Sequence, residues 1–181
     1  MSRQLKMTPY QHFAVLRHDP GVLELDAVWG PSPKKAPKQL HPSQQEQFDV
    51  LEGELTVLLD GSVHVFGAGS SFTIPAGAVH GVWNGGSVQA RAVWRTLPAL
   101  RTLDLFEDID GLYRSGVVAS DEMPTLTMWA TLLTEYRDVL RLAAKPASVV
   151  RGVFALLASL GRRRGYLPRR ALPVEAESAM A

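Results

Sequence analysis

The sequence predicts a mainly β fold, a closed barrel or jelly roll followed by helices. Three observations predict it. Short strand-like runs recur at even spacing between residues 22 and 96. Glycine turns separate them, and after Pro98 the apolar spacing changes from that of a strand to that of a helix.

The first clear strand is Val22 to Trp29, where Leu23, Leu25, Ala27 and Trp29 alternate with Glu24, Asp26 and Val28. The proline-rich segment 30–37 then breaks regular structure. Further strands are expected at Phe48 to Leu51, Glu54 to Leu59, Ser62 to Phe66, Ser71 to Ile74, Val79 to Trp83 and Val88 to Thr96. Their connections carry explicit turn chemistry at Glu52-Gly53, Asp60-Gly61, Gly67-Ala68-Gly69 and Asn84-Gly85-Gly86. Beyond Pro98 a short helix is expected at Leu103 to Ile109. A longer one is expected over Thr125 to Leu142, with Leu126, Trp129, Leu132, Leu133, Tyr136, Val139 and Leu140 on one stripe. The last helix is placed at Ala147 to Leu160, with Pro146 near its start and Gly161 as its stop. Arg151 is its only charge, so most of its surface is expected to be buried. Residues from Val174 onward read as a polar tail.

The composition fits a globular chain: 181 residues, 46% hydrophobic, with a formal net charge of +1. That length suffices for one well-buried domain with an appendage, here residues 1–100 as a barrel and 101–181 as a helical extension. The absence of cysteine excludes disulfides, thiolate metal sites and cysteine nucleophiles. Neither a signal-like apolar segment nor a membrane-length run is present, so the expected location is cytoplasmic. Near-neutral charge gives no reason to expect nucleic acid as a partner.

Two polar clusters carry the chemistry: Gln39, His41, Glu46 and Gly53, then Gly69, Pro75, Gly77, His80 and Asn84. Residues two apart on a strand share a face, so these runs can bring two imidazoles and a carboxylate to one interior point. That donor set suits ferrous iron with open positions, and zinc, nickel or manganese as well. Gly53 and Gly69 stand where turns need positive φ, and Pro75-Ala76-Gly77 reads as a turn that aims His80 inward.

This spacing resembles the two motifs of the cupin superfamily. The second motif is met without departure from Gly69 to Asn84. The first is met from Gln39 to Gly53 with one departure, Gln39 in place of a histidine. Segments around Val50 to Leu55 and Trp94 to Leu100 resemble a bacterial single-domain cupin subgroup with a helical tail. The resemblance implies a double-stranded β-helix, or jelly-roll barrel, with C-terminal α-helices. It implies one divalent metal ion held by His41, Glu46 and His80, with Gln39 as a weak fourth ligand or a donor behind them. Glu46 and Gln39 are the expected catalytic residues. Trp29, Phe48, Phe72, Trp83 and Trp94 are aromatic candidates for the wall of a small-molecule pocket.

Other polar residues read as structural. Asn84 is expected to finish a strand, His64 to face solvent, and His12 and His18 to lie at the surface. Arg162, Arg163 and Arg164, followed by Arg169 and Arg170, are read as a cationic helix end that complements the macrodipole. Two functions follow from different classes. One is a metal-dependent enzyme, a dioxygenase first and an isomerase or lyase second. The other is a module that binds a small molecule, with the helical tail serving a homodimer.

Overall fold

The computed structural model describes residues 4–32, 34–143 and 147–166. Pro146, Arg169, Arg170 and the tail from Val174 lie outside these residues. The described chain runs β1 (Gln4–Thr8), β2 (Gln11–Asp19), β3 (Val22–Trp29), β4 (Gln39–Leu40), β5 (Gln45–Glu52), β6 (Glu54–Leu59) and β7 (Ser62–Gly67). It continues with β8 (Ser71–Ile74), β9 (His80–Trp83), β10 (Ala90–Leu97), α1 (Thr102–Arg114), α2 (Leu126–Glu135), β11 (Arg141–Leu142) and α3 (Ala147–Arg163). All strand pairings are antiparallel and form two sheets, β1-β2-β3-β10-β5-β8 and β11-β4-β9-β6-β7. The fold is mainly β, a jelly roll followed by helices.

Alternation sets which face of the six-stranded sheet is buried. Leu23, Leu25, Ala27 and Trp29 of β3 are buried, as are Ala90, Ala92 and Trp94 of β10. The β3–β10 register pairs Trp94 with Leu25 and Ala92 with Ala27, so both sets cover one face. On the opposite face Arg91 binds Asp26 at 2.8 Å, and Arg95 binds Glu24 and Asp49. One apolar core joins Phe13, Leu25, Phe48 and Trp94 to Leu105, Ile109, Leu132 and Tyr136, so the helices share the interior of the sheets. Gly53 closes the turn between β5 and β6 with φ +66, and a Cβ there would stand 2.4 Å from the Gln89 carbonyl oxygen.

Several elements differ from expectation for identifiable reasons. Strands β1 and β2 precede the first expected strand. In β2 only Phe13 is fully buried and the pairing shifts register between Val15 and Arg17, which removes the alternating signal. The long helical stripe divides. α2 ends at Glu135, and Arg141–Leu142 form β11 against β4. At the break Tyr136 is fully buried, and its hydroxyl donates to Asp108 Oδ2 at 2.6 Å. Arg101, at the start of α1, holds the same break by binding Asp138 and donating to the Glu135 carbonyl at 2.8 Å.

Gly161 does not stop the last helix. A Cβ at this position would lie 2.2 Å from Thr131 Oγ1, so the glycine lets α3 approach α2. The stop is Gly165, φ +85, where Tyr166 N–H donates to the Gly161 carbonyl and Gly165 N–H to that of Arg162. The expected burial of α3 is also corrected. Val149, Val153, Leu156 and Leu160 are exposed, because α2 covers only the opposite side. Arg162, Arg163 and Arg164 are exposed at its end.

Candidate metal centre

The centre lies between the two sheets. Glu46 projects from β5 in the six-stranded sheet, and His80 opens β9 in the five-stranded one. Gln39 on β4 is the Cα partner of His80, and His41 follows two residues later on the same side. One nitrogen or oxygen from each of His41, Glu46 and His80 lies within 4.8 Å of the others. The three residues are only 4%, 2% and 1% exposed, respectively.

Hydrogen bonds fix the state of each ring. His80 Nδ1 is 3.0 Å from the Ala78 carbonyl, which can only accept, so Nδ1 carries hydrogen and Nε2 faces inward. His41 Nδ1 is 3.3 Å from Gln44 Oε1. The Gln44 amide nitrogen donates toward the Pro98 and Ala99 carbonyls and Thr102 Oγ1, which leaves its oxygen to accept from His41. Both imidazoles thus turn Nε2 toward one carboxylate, His80 Nε2 at 2.9 Å from Glu46 Oε2 and His41 Nε2 at 3.5 Å from Oε1. The indole N–H of Trp94 donates to Glu46 Oε1 at 3.1 Å.

Burial opposes ionisation of Glu46, but the two imidazoles and the Trp94 N–H outweigh it and hold its carboxyl below the usual range. For His80 burial pushes the pKa down, yet the adjacent Glu46 carboxylate and the Ala78 carbonyl leave it raised. Glu46 is thus held as an anion between the two rings. His41 Nε2 is buried with no hydrogen-bond partner, and the only partner of the buried Glu46 Oε2 is His80 Nε2 at 2.9 Å. Buried donor atoms converging on one point fit a divalent cation, and an unpartnered one is costly without it. Gln39 places its amide nitrogen 3.4 Å from His80 Nε2, so its side chain stands beside the cluster.

The aromatic residues divide. Trp29, Phe48 and Trp94 line a cavity of about 310 Å³ that also reaches Gln39, His41 and Glu46. Phe72 and Trp83 are not among its lining residues. Phe72 instead stacks on Phe48 with ring centroids 4.7 Å apart. Asn84 ends β9 and binds chain to chain, donating to the Trp29 and Val88 carbonyls and accepting from Gly86 N–H. His18 and His64 are exposed, while His12 is half-buried. Sequence reasoning missed Gln44, whose only signal was its place inside the first motif, and the helical residues that close the cavity.

A family model described as "Cupin domain" matches residues 27–95, the segment that contains Gln39, His41, Glu46 and His80. This segment of the chain is a cupin domain. Among solved structures, KdgF from Halomonas sp. is similar at 15% identity with a TM-score of 0.51, covering 56% of this chain and 92% of that one. An RmlC-like cupin from Shewanella frigidimarina is similar at 18% identity and the same TM-score of 0.51, covering 57% and 89%. The shared part is the fold. No curated protein matches the sequence of this cupin.

Proposed function

We propose that this cupin is a cytoplasmic metalloenzyme acting on a small molecule, with a mononuclear divalent ion held by His41, Glu46 and His80. The described residues up to 100 form its barrel domain and those from 101 onward its helical extension. The observation that carries the reading is the convergence of donor atoms from three buried side chains, with His41 Nε2 left unpartnered. Bound iron would supply oxygenase chemistry, the leading choice being a dioxygenase, whereas zinc, nickel or manganese would supply Lewis acidity for isomerase or lyase chemistry. Gln44 and the Ala78 carbonyl orient the two rings, Trp94 orients Glu46, and Gln39 stands at the cavity side of His80 where it can hydrogen-bond a substrate.

Elemental analysis of untagged protein tests this reading against the His41→Ala variant. Near-stoichiometric metal in the wild type that disappears in the variant is expected. A wild type that stays empty after reconstitution overturns it.

One observation favours a second reading, a non-catalytic binding module: Gln39 presents an amide where a third imidazole would strengthen the site. Tight binding without conversion of any bound compound would support the module, and a detected product the enzyme.

The exposed stripe Val149, Val153, Leu156 and Leu160 supports a homodimer formed through α3. The expected result is that Leu156→Asp halves the mass measured by ultracentrifugation. An unchanged mass removes this part of the proposal.

A further inference from the structure

We infer that the ligand of this cupin is an uncharged, largely apolar molecule of about two fused rings, with one polar head toward His41 and Glu46 and a body enclosed by the C-terminal helices. The polar-head part rests on the metal-centre reading above; the apolar body rests on the cavity alone.

The cavity runs from Gln39, His41 and Glu46 to a wall built by all three helices, through Leu105 and Phe106 of α1, Trp129 and Leu133 of α2, and Phe154 of α3. Its size and lining set the chemistry. A dry cavity of about 150 Å³ takes up benzene, so roughly twice that volume suits a bicyclic body. The volume here is about 310 Å³. Apart from the centre's own His41, Glu46 and Gln39, the polar lining residues are Thr8, Gln11 and Thr102. No lysine or arginine lines the cavity among the described residues. A phosphate, sulfonate or carboxylate on the ligand body would lose its hydration there with no cation to replace it.

Aromatic faces complete the wall. Phe13, Trp94 and Phe106 lie with ring centroids 5.1 to 5.5 Å apart, and Phe48 stacks on Trp94 at 5.6 Å. Such a wall offers both faces and edges to a flat ring. The exposed residues of the lining, Pro37, Met123 and Leu126, are apolar as well. The helical extension is thus the specificity element of this site, while the barrel holds the reacting end.

Calorimetric titration of the full chain with β-naphthol, and with the same molecule carrying a sulfonate on the ring distal to its hydroxyl, tests the inference. One β-naphthol per chain is expected, with the sulfonate bound about tenfold more weakly or worse. Leu133→Trp, which fills the cavity, should abolish β-naphthol binding without changing metal content. Met123→Lys, on the exposed rim, should bring the sulfonate at least halfway, on a logarithmic scale, to β-naphthol affinity. Equal binding of the two probes by the wild type overturns the inference, as does undiminished β-naphthol binding by folded Leu133→Trp. If Leu133→Trp does not fold, the probe comparison and Met123→Lys decide it alone. Metal analysis of the same samples separates the two readings. Stoichiometric metal without β-naphthol binding overturns the ligand class only. β-Naphthol binding by protein that takes up no metal overturns the metal centre and leaves the apolar cavity standing.

Discussion

The two ends of the cavity are built on opposite principles. At the floor, His41, Glu46, His80 and Gln44 are all buried and polar, and each is oriented by a specific partner. At the roof, Trp129, Leu133 and Phe154 contribute apolar surface and shape. The floor is therefore intolerant of small chemical changes, and the roof should tolerate them as long as volume is kept. On the proposed reading, chemistry and selectivity lie on separate parts of the chain, so they can be altered separately.

The largest effect that would break this contrast is at the floor. His80→Ala and Glu46→Gln should each take metal content from near one per chain to near zero, whereas Trp129→Leu at the roof should leave it intact, all read by elemental analysis. Comparable metal loss in Trp129→Leu would show that the ends are not separable. Next comes Gln44→Leu, which leaves His41, Glu46 and His80 in place but removes the acceptor for His41 Nδ1. Metal affinity should fall by about 10- to 100-fold, measured by competition with a chelator. Nitrogen shifts of the His41 ring should report loss of the single tautomer.

Between the helices, Gly161→Ala should destabilise the chain by about 1–3 kcal/mol in denaturant titration, since its Cβ collides with Thr131. Adding Thr131→Ala should recover part of that loss, and metal content should not change in either variant. The smallest effect concerns surface ion pairs. Arg95 lowers the pKa of Asp49, and Arg101 lowers that of Asp138. A carboxylate with a depressed folded pKa contributes stability above its ordinary value of 3.8, and the contribution fades as the pH falls through the lowered value. Asp138→Asn should therefore differ from wild type by no more than about 1 kcal/mol at neutral pH and converge with it in acid.

Legibility in the sequence follows the same division. Strands β3, β6 and β8 were readable to the residue because alternation and glycine turns are local signals. The convergence of His41, Glu46 and His80 was readable because strand periodicity maps sequence spacing onto one face. Gln44 was not. Its importance comes from the Pro98 and Ala99 carbonyls and from Thr102, more than fifty residues away. The division of the helical stripe after Glu135 was invisible because Val139 and Leu140 keep the spacing of a helix while serving a turn. Gly161 carried a stop signal in sequence, yet its role depends on Thr131 in a neighbouring helix. Nothing in α3 alone reveals which of its apolar faces meets α2.

The two-residue pairing of β11 with β4 has a wider consequence. Gln39 is paired with His80 on one side and with Leu142 on the other, and Ala143 N–H donates to the Lys38 carbonyl at 2.9 Å beside them. The extension thus hydrogen-bonds the strand that leads into His41. A chain cut after residue 100 would leave that strand as a raw sheet border, open to water and to other chains, beside its most sensitive chemistry. For protein engineering the barrel is not an interchangeable cassette: its last stitch is sewn by the segment that follows it.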